Sequence, residues 1–180
     1  MPGVIEAAKT GRAKCRGCGQ AIAAGTLRLG ERVPNPFSDD GGETTLWYHV
    51  ACAAFLRPEA FLEVLAAPET AGVAAGIDGR ERLAQEAALG AAHRRLPRAT
   101  AAERASTGRA TCRHCKTLIE KGAWRLALTY YDEGRFAPSG FIHLGCAREY
   151  LETVEIFGRL RHFSPALTAP ELEEIRQLLG

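Results

Sequence analysis

The chain of 180 residues contains no run of about 18 apolar residues, the length that a membrane-spanning helix needs. Its first residues, MPGVIEAAKTGRAKC, have neither an apolar core nor a cleavage-like site, so they do not resemble a secretory signal. We therefore expect an intracellular protein without membrane contact. It would lie in the cytoplasm or nucleoid of a bacterium, or in the nucleus of a eukaryote.

No cysteine stands outside one repeated pattern. Each copy has a Cys-x2-Cys pair followed by a His-x2-Cys pair, after 30 residues in the first copy and 27 in the second. Three thiolates and one imidazole form a closed tetrahedral shell for zinc, whereas disulfides, the alternative, would suit an extracellular chain. The sequence thus predicts two structural Zn²⁺ ions. Their ligands would be Cys15, Cys18, His49 and Cys52 in the first copy, and Cys112, Cys115, His143 and Cys146 in the second.

The repetition extends beyond these ligands. TGRAKCRGC at 10–18 returns as TGRATCRHC at 107–115, and LRL at 27–29 returns as WRL at 124–126, both shifted by 97 residues. We therefore predict two domains: a first zinc module with trailing helices at 1–97, and a second with a C-terminal helix at 98–180. Because modules of this size have marginal apolar cores, zinc would supply much of their stability.

Hydrophobic periodicity indicates an α+β fold, with a short antiparallel sheet and flanking helices in each module. Alternation over 26–33 and 123–130 predicts strands, on which Arg28 and Arg125 point away from the core while Tyr130 points inward. The other expected elements are helices at 58–65, 80–96, 150–157 and 170–179, with a linker at 98–106. The last helix would cover its own module or, alternatively, dock a partner.

The chain also carries little net charge. Its formal charge is +2, and two Zn²⁺ ions bound by six thiolates would bring it close to zero. A diffuse positive field therefore cannot recruit a polyanion, and any nucleic-acid contact would need local clusters of cations. Both Cys-x2-Cys pairs have such clusters: Lys9, Arg12, Lys14 and Arg16 in the first copy, and Arg109, Arg113 and Lys116 in the second. This recurrence favours binding over a merely solvated surface.

Three motifs together resemble a known family. AKTGRA at 8–13, LRL at 27–29 and WYH at 47–49 are similar to the DNA-break-sensing zinc fingers of poly(ADP-ribose) polymerase and some DNA ligases. The chain resembles a tandem of these fingers without a catalytic domain. The resemblance implies a compact zinc-stabilised sheet with flanking helices that recognises strand breaks by structure rather than base sequence.

The resemblance also implies roles for individual residues. Arg12, Arg28, Arg109 and Arg125 would contact phosphates, with the Thr10 and Thr107 hydroxyls close to the backbone. A ring on a projecting loop would stack on the exposed base pair: Phe37 in the first module, and Phe136 or Tyr131 in the second. The predicted DNA-binding residues are Lys9, Thr10, Arg12, Arg16, Arg28, Phe37, Thr107, Arg109, Arg113, Arg125 and Phe136.

We thus predict zinc-dependent, sequence-independent binding of nicks, gaps or ends. The expected partners are DNA with strand discontinuities and a repair enzyme, with no small-molecule substrate. The alternatives are a protein-interaction adaptor that uses the zinc modules as scaffolds, and an enzyme that processes damaged ends. Since no thiolate is left free as a nucleophile, and a zinc with four protein ligands has no open position for water, we expect no catalysis.

Overall fold

The computed structural model describes residues 3–35 and 41–180. The chain forms two compact units. The first consists of Met1–Ala92 with Glu133–Arg135, and the second of His93–Asp132 with Phe136–Gly180. The domain boundary between residues 97 and 98 stays a prediction. Within the described ranges, no helix has the length and apolar character needed to cross a bilayer.

The first module contains a three-stranded antiparallel sheet of β1 (Val4–Ala7), β2 (Leu27–Pro34) and β3 (Glu43–His49) in that spatial order. The cross-strand register places Leu29 beside Ile5 on one side and Tyr48 on the other. All three side chains are buried. The alternation that predicted β2 therefore corresponds to one apolar face shared by three strands.

Four helices follow: α1 (Val50–Leu56), α2 (Pro58–Ala66), α3 (Ala71–Ala74) and α4 (Arg80–Ala92). Of these, α1 packs against β2 and β3 and α3 against β1, while α2 packs on α1 and α4 packs on both α1 and α2. Pro58 begins α2 as predicted, since its fixed φ suits the first helical turn. The predicted extension of α4 to residue 96 is wrong, because Leu96 already belongs to a 3-10 turn (Leu96–Arg98). Pro97 disfavours the helical conformation in the residue before it.

The second sheet consists of β4 (Ala99–Arg104), β5 (Trp124–Asp132) and β6 (Arg135–His143) in that order. The predicted linker at 98–106 is wrong, since most of it is β4. In this segment, ATAAER, Thr100 is the one β-branched residue and there is no aromatic, so its own strand propensity is weak. It is a strand because it pairs with β5, where Ala102 and Leu126 lie opposite each other and are both buried.

The predicted projecting loop of the second module is a tight hairpin. Glu133 and Gly134, with φ of 44° and 83°, form a two-residue turn between β5 and β6. Phe136 therefore lies on a strand. Tyr130 is 49% exposed, so its predicted inward orientation is wrong as well. The alternation still holds through Leu128, which is buried, but the core ends before Tyr130.

Three helices follow in the second module: α5 (Ala147–Leu151), α6 (Phe157–Phe163) and α7 (Ala169–Leu179). The predicted continuous helix at 150–157 is wrong. Glu152 adopts φ of 62° and ends α5, and the Thr153 hydroxyl accepts a hydrogen bond from the Glu155 amide at 3.1 Å. Such a local side-chain bond competes with helix formation.

The C-terminal helix α7 begins with a capping box. The Glu171 amide donates to the Thr168 hydroxyl at 3.4 Å, and the Thr168 amide donates to the Glu171 carboxylate at 2.8 Å. Ile175 and Leu179 are buried. The apolar stripe of α7 therefore packs onto its own module.

Candidate zinc centres and nucleic-acid interface

The eight predicted ligands form two clusters, and within each cluster the ligand atoms all lie within 4.8 Å of one another. A tetrahedral zinc with Zn–S bonds of about 2.3 Å holds its sulfurs about 3.8 Å apart. In both clusters the histidine Nδ1 lies 3.4 Å from the Sγ of the second knuckle cysteine, Cys18 or Cys115. None of the six cysteines forms a disulfide. The residues therefore fit two structural zinc ions.

Two kinds of local structure place the ligands. The first pair lies on a small hairpin, here called the knuckle hairpin, spanning residues 13–22 in the first module and 110–119 in the second. The turn of each hairpin is closed by a backbone hydrogen bond of 2.8 Å. The Cys15 amide donates to the Gln20 carbonyl in the first module, and the Cys112 amide donates to the Thr117 carbonyl in the second. The second pair lies where β3 meets α1 in the first module, and where β6 meets a 3-10 turn, Leu144–Cys146, in the second. There, residues three apart face the same side.

Backbone and histidine contacts orient the ligands further. The His49 amide donates to Cys15 Sγ at 3.3 Å, and the His143 amide donates to Cys112 Sγ at 3.4 Å. His143 Nε2 lies 3.1 Å from the Leu118 carbonyl oxygen, which can only accept a hydrogen bond. Its proton is therefore on Nε2, and Nδ1 is left to bind the metal.

The thiols of each cluster differ widely in acidity. A hydrogen bond with Cys52 lowers the pKa of Cys15 to about 4, and the same contact raises the pKa of Cys52. In the second cluster, the Thr117 hydroxyl lowers the pKa of Cys115 to about 6, and burial raises that of Cys146 to about 12. Because crowded thiolates repel each other, a cation is needed to hold three of them together.

Arg28 and Arg125 occupy equivalent buried positions. They lie on the sheet face opposite Leu29 and Leu126, as the alternation predicted. A second layer of side chains covers that face, so the arginines are only 8% and 7% exposed. Both arginines therefore lie on the predicted face of their strands, the one away from the apolar core. Their guanidinium groups are nevertheless buried rather than exposed to solvent.

Each buried arginine contacts one carboxylate and one ring. Arg28 Nη2 lies 2.5 Å from Glu6 Oε1, and its Cζ lies 3.5 Å from the centroid of Trp47. Arg125 repeats this with Glu103 at 2.5 Å and Phe141 at 3.6 Å. Neither partner was predicted from the sequence. The carboxylates could have been found from the cross-strand pairing, because Glu6 lies opposite Arg28 and Glu103 lies opposite Arg125 on adjacent strands.

The other predicted phosphate-binding residues are exposed on or just before the knuckle hairpins. They are Lys9, Thr10, Arg12 and Arg16 in the first module, and Thr107, Arg109 and Arg113 in the second. The backbone amide of Arg16 donates to the Trp47 carbonyl at 2.9 Å, and that of Arg113 donates to Phe141 at 2.8 Å. Each hairpin is thus fixed to the sheet beside it.

The candidate stacking rings differ in what the structure reveals. Phe37 lies outside the described residues. Phe136 is half-buried, and its ring centroid lies 4.8 Å from that of Tyr131, with the planes at 51°. Such a tilted pair is a favourable aromatic contact within the hairpin.

A three-stranded sheet, flanking helices and a Cys3His cluster, all present twice, define a tandem zinc-finger protein. The family model for the poly(ADP-ribose) polymerase and DNA-ligase Zn-finger region matches residues 6–88. Residues 6–88, in the first module, belong to this zinc-finger family, and the second module repeats the same ligand pattern.

Several curated relatives match more than two thirds of the chain. Poly [ADP-ribose] polymerase 1 of Gallus gallus is 32% identical over 132 residues, 68% of this chain. The protein of the same name from Xenopus laevis is 32% identical over 143 residues, or 71% of the chain. Poly [ADP-ribose] polymerase of Drosophila melanogaster is 28% identical over 151 residues, or 73%. The matches span only 13% to 14% of the relatives' own lengths.

Proposed function

We propose that this chain binds DNA at strand breaks, without regard to base sequence and without catalysing a reaction. The zinc ions would be structural, since each has four protein ligands and no open coordination position. Damaged DNA would be the partner, and a repair enzyme would act beside it. The expected location is the compartment that holds the DNA.

The observation that carries this proposal is the repeated set of exposed cations. Arg12 and Arg109 occupy equivalent positions, as do Arg16 and Arg113, and all four are exposed beside equally folded knuckle hairpins. A guanidinium offers paired donors to phosphate oxygens, which carry no sequence information. Membership of the zinc-finger family supports the same conclusion.

A mobility-shift titration on nicked and intact duplexes of one sequence tests the proposal. We expect tighter binding to the nicked duplex and a marked loss of affinity between two salt concentrations, since phosphate contacts release counterions. Arg12→Gln and Arg109→Gln should each reduce the slope of log affinity against log salt by about one. Arg161→Gln, an exposed arginine on α6, serves as the control. Equal affinity for both duplexes would refute break recognition.

Stacking is a separate part of the proposal. A nick or end exposes the face of a base pair, which an aromatic ring can cover, and an intact duplex does not offer that face. Phe37→Ala should therefore mainly remove the preference for nicked DNA. Equal losses on nicked and intact duplexes would instead assign Phe37 to general binding or to folding.

A further inference from the structure

The outer face of the first sheet contains a pocket that shares one residue, Arg16, with the proposed break contacts. It has a volume of about 500 Å³ and lies between the knuckle hairpin and β3. Lys14 and Arg16 line it from the hairpin, and Thr45 and Trp47 from the strand. A volume of this order is typical of sites for small ligands.

Trp47 forms the aromatic wall of this pocket. Arg28 lies over its ring at 3.5 Å, and Trp47 is also one of the residues that line the pocket. Gly30 lies opposite Trp47 in the register, and a Cβ there would be 2.7 Å from the ring. The ring can lie against the sheet because residue 30 has no side chain.

The charge of the pocket complements an anion. Lys14 and Arg16 are both exposed, and the described lining residues include no aspartate or glutamate. The zinc ligand Cys15 also borders the pocket, but it is only 1% exposed. Thr45 adds a hydroxyl that can donate or accept a hydrogen bond. The pocket thus combines an indole surface, two cations and a hydroxyl. A nucleotide has the matching groups, namely a flat base, a phosphate and sugar oxygens.

The second module does not repeat this chemistry. Phe141 stands at the position of Trp47, Ala127 at that of Gly30, and Thr111 at that of Lys14. The arginine equivalent to Arg16 is kept as Arg113. The smaller ring, the added methyl group and the missing lysine leave the second module without the same stacking surface and paired cations.

From these differences we infer that the first module holds an unpaired nucleotide of single-stranded DNA in this pocket. The base stacks on Trp47, and a phosphate pairs with Lys14 and Arg16. This inference deepens the proposed DNA-binding function and rests on it. It adds a contact for the frayed or displaced strand at a break, separate from the exposed end of the duplex.

Binding of a short single strand tests the inference directly. The affinity of the zinc-loaded protein for a dye-labelled thymidine tetranucleotide can be measured by fluorescence anisotropy. An abasic tetranucleotide, which has the same phosphates but no bases, should bind at least about five-fold more weakly, because stacking accounts for the difference. Trp124 is only 5% exposed, so quenching of tryptophan emission by the thymidine strand would report on Trp47.

Variants that copy the second module provide the sharpest test. Trp47→Phe and Lys14→Thr should each weaken tetranucleotide binding several-fold, and Lys14→Thr should also lower the salt slope by about one. Gly30→Ala should weaken binding by displacing the ring while both zinc ions are retained. Phe141→Leu in the second module is the matched control and should have no effect.

Three results would overturn the inference. The first is that the abasic and thymidine tetranucleotides bind with equal affinity. The second is that a glutamate tetrapeptide binds as tightly as the thymidine tetranucleotide, and the third is that Phe141→Leu and Trp47→Phe reduce tetranucleotide affinity equally.

The nick preference is measured on separate duplexes, so the two proposals can fail independently. If the preference is present but the tetranucleotide shows no dependence on its bases, only this inference fails. If the tetranucleotide binds as expected but nicked and intact duplexes bind equally, the proposed break recognition fails instead.

Discussion

Replacing Arg28 by alanine should destabilise the first module as well as alter DNA binding. The change removes a guanidinium that stacks on Trp47 and pairs with Glu6. Side-chain exposure is 10% for Arg28 and 31% for Glu6. The stack is therefore largely shielded from water, whereas the carboxylate can be rehydrated once its partner is gone.

The size of the effect follows from these contacts. A desolvated cation–π contact contributes about 1 to 2 kcal/mol, and an ion pair with one partly exposed partner adds up to about 1 kcal/mol. We expect a loss of about 1 to 3 kcal/mol in the free energy of unfolding. For a module of this size, that lowers the melting temperature by at least about 4 °C.

Thermal unfolding of the zinc-loaded protein, followed by circular dichroism, measures this loss. Arg32→Ala is the matched control, because Arg32 lies on the same face of β2 but is exposed, and such surface changes shift stability by about 0.5 kcal/mol or less. A melting temperature for Arg28→Ala within about 2 °C of that for Arg32→Ala would refute a structural role for the stack and the ion pair.

The same contacts determine how a DNA-binding defect of Arg28→Ala should be read. A phosphate that binds Arg28 would compete with the carboxylate of Glu6, which lies 2.5 Å from Nη2. Glu6→Gln keeps the guanidinium and removes the competing charge. If Arg28 contacts phosphate, Glu6→Gln should tighten DNA binding and steepen its salt dependence. An unchanged affinity would assign Arg28 to the fold alone.

Three further predictions concern the metal, the last helix and the β5–β6 hairpin. Removing zinc with a strong chelator should unfold both modules, because zinc binding contributes about 10 to 16 kcal/mol, more than most small domains have in total; a melt unchanged after verified metal loss would contradict this. Hydrogen bonds from Thr168 lower the pKa of Glu171, so the stability they confer is present above the ordinary carboxyl pKa and is lost as the pH falls through the lowered value. The difference in urea midpoint between Glu171→Gln and the unaltered protein should therefore shrink as the pH falls below the ordinary carboxyl pKa, and a constant difference would exclude the capping interaction as its cause. Phe136→Ala should destabilise the hairpin by about 1 kcal/mol, since its ring packs 4.8 Å from that of Tyr131; loss of nick preference at an unchanged melting temperature would instead assign the ring to DNA.

The zinc clusters and the central strands could be predicted from the sequence because each depends on a local signal. Cys-x2-Cys and His-x2-Cys spacings follow from coordination chemistry, and alternation marked β2 and β5 because one face of each is apolar. The strand β4 was missed because its pairing with β5 supplies what its own alanine-rich sequence lacks. The break after Leu151 was missed because periodicity does not register one left-handed residue.

The burial of Arg28 and Arg125 could not be predicted because it depends on three strands at once. Alternation gives only the face of the strand on which an arginine lies. Whether that face is open depends on Glu6 from β1 and Trp47 from β3, which meet Arg28 only through the cross-strand register. A ring large enough to cover the guanidinium also needs room at position 30, and glycine provides it.

The two modules share the contacts of the buried arginine but differ at other equivalent positions. These differences bear on which part of the DNA each module binds. Both pair a buried arginine with a glutamate from the first strand and a ring from the third, at nearly equal distances. A duplicated contact of this kind stabilises each sheet and gives neither module a distinct specificity. Two differences, Trp47 against Phe141 and Lys14 against Thr111, fall on residues that in the first module line the pocket, and Trp47 also covers Arg28. If both modules approach the same interrupted backbone, the first therefore has the means to hold a single strand, and the second contributes mainly its exposed arginines.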